Sequence, residues 1–309
     1  MTSFKGRFFS FVMRNRHLLK GQWRAPVITT ESSIEEMRAD IHRSAQKMAK
    51  LPECVIFHQT DFKPFYAEWV IPEGCPEDHM ILYFHGGGFV SGNAEDHRNL
   101  VANFTKFLST KSLVFDYSLA PEKPYPAGVN DSVDIYQWVL SQGYLPANIL
   151  FAGDSAGAGL QMSCLLKLKA LGLPLPAGVV AMSPCVDMTL SGESHRTRLK
   201  EDPCTPKGST ETWIGYYIGE GDPTDPIMSP LLGDLSGLPP MIIQVGDHET
   251  LLSDSTRFAE KAHQAGVDVT LHVWQGMFHC FPLLAPMFRE ASEAMVEIRD
   301  FVQYVWNHK

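Results

Sequence analysis

The chain has 309 residues, 44% of them hydrophobic and 20% charged, and 35 acidic against 26 basic side chains give a formal net charge of -9. That length permits one large domain or two small ones, and the composition is that of an ordinary soluble globular enzyme. The acidic balance argues against a phosphate-tracking surface, so nucleic acid is not expected as a partner.

Between Met1 and Gln22 the charged residues are Lys5, Arg7, Arg14, Arg16 and Lys20, and the first acid is Glu31. The apolar run Phe8–Met13 is short and has no small-residue cleavage site after it, which excludes a signal peptide and makes a cytoplasmic protein the expectation. No run of 18 apolar residues occurs anywhere, so no transmembrane segment is expected. Phe4, Phe8, Phe11, Val12, Leu18 and Leu19 recur at helical spacing. Ser33-x-x-Glu36 has the form of a capping box, and Ile34, Met37, Ile41, Ala45 and Met48 continue a second amphipathic helix. The apolar faces of both helices are expected to pack on the protein's own body; lining a substrate entrance or resting on a membrane surface are the competing readings.

From about residue 54 the rhythm changes. Strands are expected at 55–62 and 65–71, then at 80–84, 112–117, 148–152, 178–183, 241–245 and 269–274. Helices are expected near 99–108, 129–142, 157–171 and 255–265, with a long one over 285–306. Short apolar strands alternating with amphipathic helices predict an α/β protein whose mostly parallel sheet is covered on both faces. Residues 187–232 interrupt the alternation: they are polar, rich in Pro, Gly and Thr, and carry Trp213, Tyr216 and Tyr217. Such a stretch is too long for a connection in a compact domain, which predicts an insertion with its own helices. Residues 1–50 plus 187–225 are therefore expected to form a helical cap, and 51–186 plus 226–309 the catalytic core. The six cysteines, at 54, 75, 164, 185, 204 and 280, include no Cys-x-x-Cys pair or zinc spacing, so free thiols and no metal are expected.

Two glycine-rich motifs carry the chemistry. Gly153-Asp154-Ser155-Ala156-Gly157 lies between a predicted strand and a predicted helix, the context of a nucleophile elbow. The turn strains the serine backbone, and side chains at 153 or 157 would clash. His85-Gly86-Gly87-Gly88 follows another strand, and its glycines can aim backbone N–H groups at a bound oxygen. Ester hydrolysis passes through a tetrahedral oxyanion, and each preorganised donor there contributes about 3 kcal/mol. The expected donors are Gly87, Gly88 and Ala156, with Gly86 as a further member, while His85 is expected to hold the shape of its loop.

In a nucleophile-elbow fold the chain order is serine, acid, histidine. His263 falls within a predicted helix, His272 within a strand and His308 in the tail. His279 lies just past the last strand and is the expected general base. The acid is sought after the strand at 241–245, where Glu249 is preferred and Asp247 and Asp254 are the alternatives; Asp254 would otherwise cap the helix starting near Ser255. Because His279 must be neutral to act, activity is expected to fall below about pH 6.

Together, His85-Gly86-Gly87-Gly88, Asp116-Tyr117-x-x-Ala120-Pro121-Glu122, Gly153-Asp154-Ser155-Ala156-Gly157 and His279 resemble the bacterial hormone-sensitive lipase family of esterases, from about residue 50 to the end. The resemblance implies an α/β-hydrolase fold with an eight-stranded sheet and a helical cap, no cofactor, and short-chain acyl esters as substrates. It further implies that Glu122 and Asp154 support the active-site loops by hydrogen bonding; family members often pair through the last strand and C-terminal helix, so a homodimer is one oligomeric state the resemblance leaves open. Two positions depart from the family pattern. Glu249-Thr250-Leu251 stands where many members have Asp-Pro-Leu, and Cys185 follows Ser183-Pro184 where many have Trp, which would enlarge the substrate pocket. The competing readings are a lipase, amidase or peptidase on the same fold and, from another class, a hormone receptor that binds its ligand without turning it over.

Overall fold

A computed structural model describes residues 2–19, 27–47 and 51–308. Met48, placed by periodicity in the second helix, and Lys20 and Gln22 lie outside the described residues. Eight strands form one sheet: β1 (Val55–Gln59), β2 (Ala67–Pro72), β3 (Met80–Phe84), β4 (Ser112–Phe115), β5 (Ile149–Asp154), β6 (Gly178–Met182), β7 (Met241–Gly246) and β8 (Val269–Trp274). Their spatial order is β1-β2-β4-β3-β5-β6-β7-β8, with the β1–β2 and β2–β4 pairs antiparallel and all others parallel. Every residue of β3, β4, β5, β6 and β7 is buried. These strands read as unbroken apolar runs because helices cover both of their faces.

The helices are α1 (Phe4–Arg14), α2 (Arg16–Leu19), α3 (Ile34–Lys47), α4 (Ala94–Leu108), α5 (Ala127–Ser141), α6 (Ser155–Ala170), α7 (Ser194–Thr197), α8 (Ser209–Ile218), α9 (Leu252–Gln264) and α10 (Arg289–Asn307). Side chains of a strand alternate between faces, so successive residues of one strand enter different cores. Leu82, Phe84 and Phe151 join Val129, Leu160 and Phe258 of α5, α6 and α9 on one face. Tyr83, Leu150 and Ala152 meet Phe104 of α4 and Ile298 and Val302 of α10 on the other. The parallel strands all end on the same side, and the loops that leave β3, β5, β7 and β8 there carry the candidate residues, where open α/β sheets place their ligands.

Helix boundaries differ from expectation where side chains cap them. Helix α4 starts at Ala94, five residues early, because Asn93 accepts the Asp96 N–H at 2.7 Å. Helix α9 starts at Leu252, so Asp254 lies inside its first turn rather than before it. The Ser33 hydroxyl accepts the Glu36 N–H at 3.1 Å, one half of the expected capping box. The largest difference concerns α1. Its Phe9 and Met13 pack inward, beside Met277 and Phe288, whereas the expected packing residues Phe4, Phe8 and Phe11 face solvent.

The insertion contains α7 and α8, and its first half is bound to the body by buried polar groups. Ser194 Oγ donates to the Thr250 carbonyl at 2.6 Å and accepts the Ser253 N–H at 2.9 Å. Asp202 Oδ2 accepts the Thr250 N–H at 2.9 Å. His195 Nε2 lies 2.8 Å from Asp254 Oδ1, with both side chains buried.

Candidate active site

Ser155 sits at the junction of β5 and α6 with φ of 56°, in the left-handed region that costs a side-chain-bearing residue of order 1–3 kcal/mol. The turn is this sharp because β5 and α6 both crowd the end of β3. A Cβ on Gly157 would stand 2.1 Å from the Phe84 carbonyl oxygen and 2.4 Å from that of His85, and one on Gly153 would stand 2.9 Å from the Phe84 oxygen. Only glycine fits at either place.

The structure brings Ser155, His279 and Glu249 into one line. His279 Nε2 is 2.8 Å from Ser155 Oγ, and His279 Nδ1 is 2.9 Å from Glu249 Oε2. Glu249 is fully buried, and its Oε1 accepts the Gly246 N–H at 2.6 Å and the Ser183 hydroxyl at 2.9 Å. Ser183 also accepts the Cys280 N–H at 3.1 Å, tying the histidine loop to the end of β6. A carboxylate with two donors on one oxygen offers the other to the ring, so Nδ1 carries the hydrogen and Nε2 keeps its lone pair toward the serine. The other two acids are engaged elsewhere. Asp247 accepts the Gly276 N–H at 2.6 Å. Asp254 accepts the Val186 and Asp187 N–H groups at 2.9 and 3.1 Å.

Burial disfavours a charged imidazole, but the Glu249 carboxylate 2.9 Å from Nδ1 favours it and holds His279 well above the ordinary 6.5. This moves the expected acid limb upward from about pH 6. Cys280 Sγ lies 3.5 Å from His279 Nε2, and burial pushes its thiol up to about 11, so it stays protonated at neutral pH.

In the glycine loop Gly87 and Gly88 have φ of 128° and 65°. Gly86 departs from expectation: its N–H donates to Asp154 Oδ1 at 3.1 Å and is spent there. Asp154 Oδ1 also accepts the Tyr83 hydroxyl at 2.9 Å, so Asp154 fastens the loop to the elbow it belongs to. The N–H groups of Gly87, Gly88 and Ala156 have no acceptor among the described residues. That of Ala156 belongs to the first turn of α6, where N–H groups lack a partner and the helix dipole favours an anion. His85 is fully buried with Nδ1 2.8 Å from the Gly86 carbonyl, and its ring stacks on Tyr117 at 4.2 Å. Burial and the nearby His97 lower its pKa to about 3. A neutral ring held to a carbonyl acceptor must donate from Nδ1, so His85 braces the loop.

Glu122 lies further out than expected and pairs with Arg38 of α3 through two contacts of 2.8 Å. Arg38 in turn donates to the carbonyls of Val90 and Ala120 at 2.7 and 3.0 Å, so Glu122 reaches the glycine loop only through Arg38. Sequence reasoning missed Arg38, Tyr83 and Ser183. Arg38 reads as a solvated helix charge, Tyr83 as a core aromatic, and Ser183 as the last residue of a strand, with nothing in the sequence to pair it with Glu249. It also gave Trp213 no role, yet the ring lies on the glycine loop: a Cβ on Gly88 would stand 2.6 Å from its Cε3.

Fold and site together define an α/β hydrolase with a serine, a histidine and a carboxylate in hydrogen-bonded sequence. A family model described as the alpha/beta hydrolase fold matches residues 81–283. An esterase of Acinetobacter venetianus RAG-1 is 40% identical over 223 residues, 72% of this chain and 74% of that protein. Crystal structures of EstE5 soaked with p-nitrophenyl butyrate (TM-score 0.90, 34% identity, 99% of each chain) and of an esterase from the bacterial hormone-sensitive lipase family (TM-score 0.89, 35% identity, 99% of this chain and 100% of that one) superpose on the protein. The chain belongs to the bacterial hormone-sensitive lipase family of α/β-hydrolase esterases, and it is a carboxylic ester hydrolase.

Proposed function

We propose that the protein hydrolyses short- to medium-chain acyl esters through Ser155, His279 and Glu249. The observation that carries this reading is the unbroken hydrogen-bonded line from Ser155 Oγ through both ring nitrogens of His279 to Glu249. In the first half-reaction His279 Nε2 takes the hydroxyl proton as Ser155 Oγ attacks the carbonyl carbon. The negative charge that forms on the carbonyl oxygen is met by the N–H groups of Gly87, Gly88 and Ala156. The tetrahedral species collapses, His279 gives its proton to the departing alkoxide, and an acyl-serine remains. Water then attacks the acyl carbon as His279 takes its proton, and on collapse the bond to Ser155 Oγ breaks, His279 returns the proton to that oxygen, and the carboxylic acid is released. Glu249 keeps its charge throughout, holding the ring tautomer and stabilising the imidazolium.

The short-to-medium range is supported by the aromatic cover over the glycine loop. Trp213 rests on Gly88, and Phe89 stacks on Tyr217 at 3.9 Å. Residues 1–50 with 187–225 are read as the cap that supplies this cover, and a small-molecule ester as the only partner catalysis requires. Rates on p-nitrophenyl esters from C2 to C16, wild type beside Ser155→Ala, test the reading. Activity peaking at C4–C6 and lowered about a million-fold in kcat by the substitution is expected. Near-normal turnover by Ser155→Ala refutes it.

A further inference from the structure

We propose that α1 is a docking surface for an anionic lipid bilayer. The apolar stripe that periodicity assigns to the protein's own body points away from it: Phe4, Phe8 and Phe11 are 77%, 54% and 66% exposed. At the ~100° per residue of an α-helix these three rings fill a narrow arc. Arg7 and Arg14 lie roughly 70° and 90° to one side of its centre and Lys5 roughly 90° to the other. All three basic residues are exposed, with Arg14 also donating to the Glu201 carbonyl at 2.9 Å, so Lys5 and Arg7 are the flanking cations turned to solvent, and the helix contains no acid. Aromatic rings facing down with cations on both flanks is the arrangement of a helix lying in a headgroup layer: the rings enter the acyl boundary and the cations meet lipid phosphates.

The helix is fixed in this orientation from behind. Ser3 Oγ donates to Glu290 Oε2 at 2.6 Å and accepts the Gly6 N–H at 3.0 Å. Thr2 Oγ1 donates to the Gln275 carbonyl at 2.8 Å, and the Phe9 ring lies 5.4 Å from that of Phe288. Rotating the phenylalanines inward would break these contacts. Charge selects the occupant. The chain as a whole carries -9, so α1 has the opposite sign to the rest of the molecule. A two-fold contact with a second copy of the same helix would set Lys5, Arg7 and Arg14 against themselves. An anionic bilayer satisfies both the rings and the cations. Docking there would also bring lipid-dissolved esters close to the loop that carries His279, since Gly6 of α1 packs against Met277.

Co-sedimentation with phosphatidylcholine vesicles, with and without phosphatidylglycerol and at low and high salt, tests this. Wild type is expected to bind the phosphatidylglycerol vesicles at low salt and to be released at high salt. Lys5→Gln/Arg7→Gln weakens binding about thirty-fold, each cation at an anionic surface contributing roughly a factor of five. Phe4→Ser/Phe8→Ser/Phe11→Ser weakens it at least about a hundred-fold. Circular dichroism checks the fold of each variant, and the single Phe11→Ser substitution replaces the triple variant if that one unfolds. The proposal is overturned if wild type stays in the supernatant, or if the phenylalanine variants bind as wild type does. It is equally overturned if gel filtration shows a dimer that the phenylalanine substitutions convert to monomer.

Discussion

Replacing Glu249 with Gln tests how the carboxylate acts, because the two oxygens of that side chain have unequal surroundings. Oε1 receives two donors, from Gly246 and Ser183, while Oε2 faces only His279 Nδ1. A glutamine therefore keeps its carbonyl toward Gly246 and Ser183, since the reverse would set an NH2 against two donors in a buried site. Its NH2 then points at Nδ1, which must become an acceptor, and the proton moves to Nε2. The ring now donates to Ser155 instead of accepting from it. Loss of the working tautomer costs about 10⁴ in kcat, or ~5.5 kcal/mol of barrier. Stability changes little, because each buried polar group keeps a partner. By contrast Glu249→Ala orphans the Gly246 N–H and the Ser183 hydroxyl, at about 1–3 kcal/mol each. Hydrolysis of p-nitrophenyl butyrate and thermal melts of both variants separate the two effects. A fall of less than tenfold in Glu249→Gln refutes the tautomer argument. If Asp247→Asn suffers the large loss instead, the acid is Asp247.

Three further outcomes are expected. Since His279 must lose its proton to act and its pKa is raised, kcat/KM should climb with pH through a midpoint above 6.5, and Glu249→Gln should move that midpoint down because burial remains while the carboxylate is gone; a wild-type midpoint below 6 contradicts this. Gly157→Ala places a methyl against two carbonyl oxygens of the β3 end, so a loss of about 3 kcal/mol or more, ~6 °C or more in Tm, is expected alongside lost activity, and a melt within a degree of wild type would show the elbow to be slack. Trp213→Ala uncovers Gly88 and should raise kcat/KM for C8 relative to C4 about tenfold, as roughly two more methylenes find cover at ~0.8 kcal/mol each; a uniform fall across all chain lengths would mean that the ring only supports the loop.

The motifs of this chain are legible in sequence because the chemistry they report is local. A strand, a strained serine and glycines at 153 and 157 describe a turn whose sterics involve a few neighbouring residues, and the three glycines after His85 describe another. Buried apolar runs alternating with amphipathic helices likewise fix a two-faced parallel sheet, since each element shows its burial in its own side chains. Contacts between distant segments leave no such trace. Asp247, Glu249 and Asp254 lie within eight positions and have the same chemistry, so only the turn after β7 and the arrival of Ser183 and His279 distinguish them. The Gly86 N–H is removed from the set of free donors by Asp154, 68 positions away. Periodicity finds α1 but cannot orient it, because Phe4, Phe8 and Phe11 on one side and Phe9 and Met13 on the other are both apolar. The choice falls to Phe288 and Glu290 at the start of α10, nearly the full length of the chain away, which hold Phe9 and Ser3 against the body and leave the other face in solvent. Local sterics are written in neighbouring residues, whereas the direction a helix faces is set by whatever folds against it.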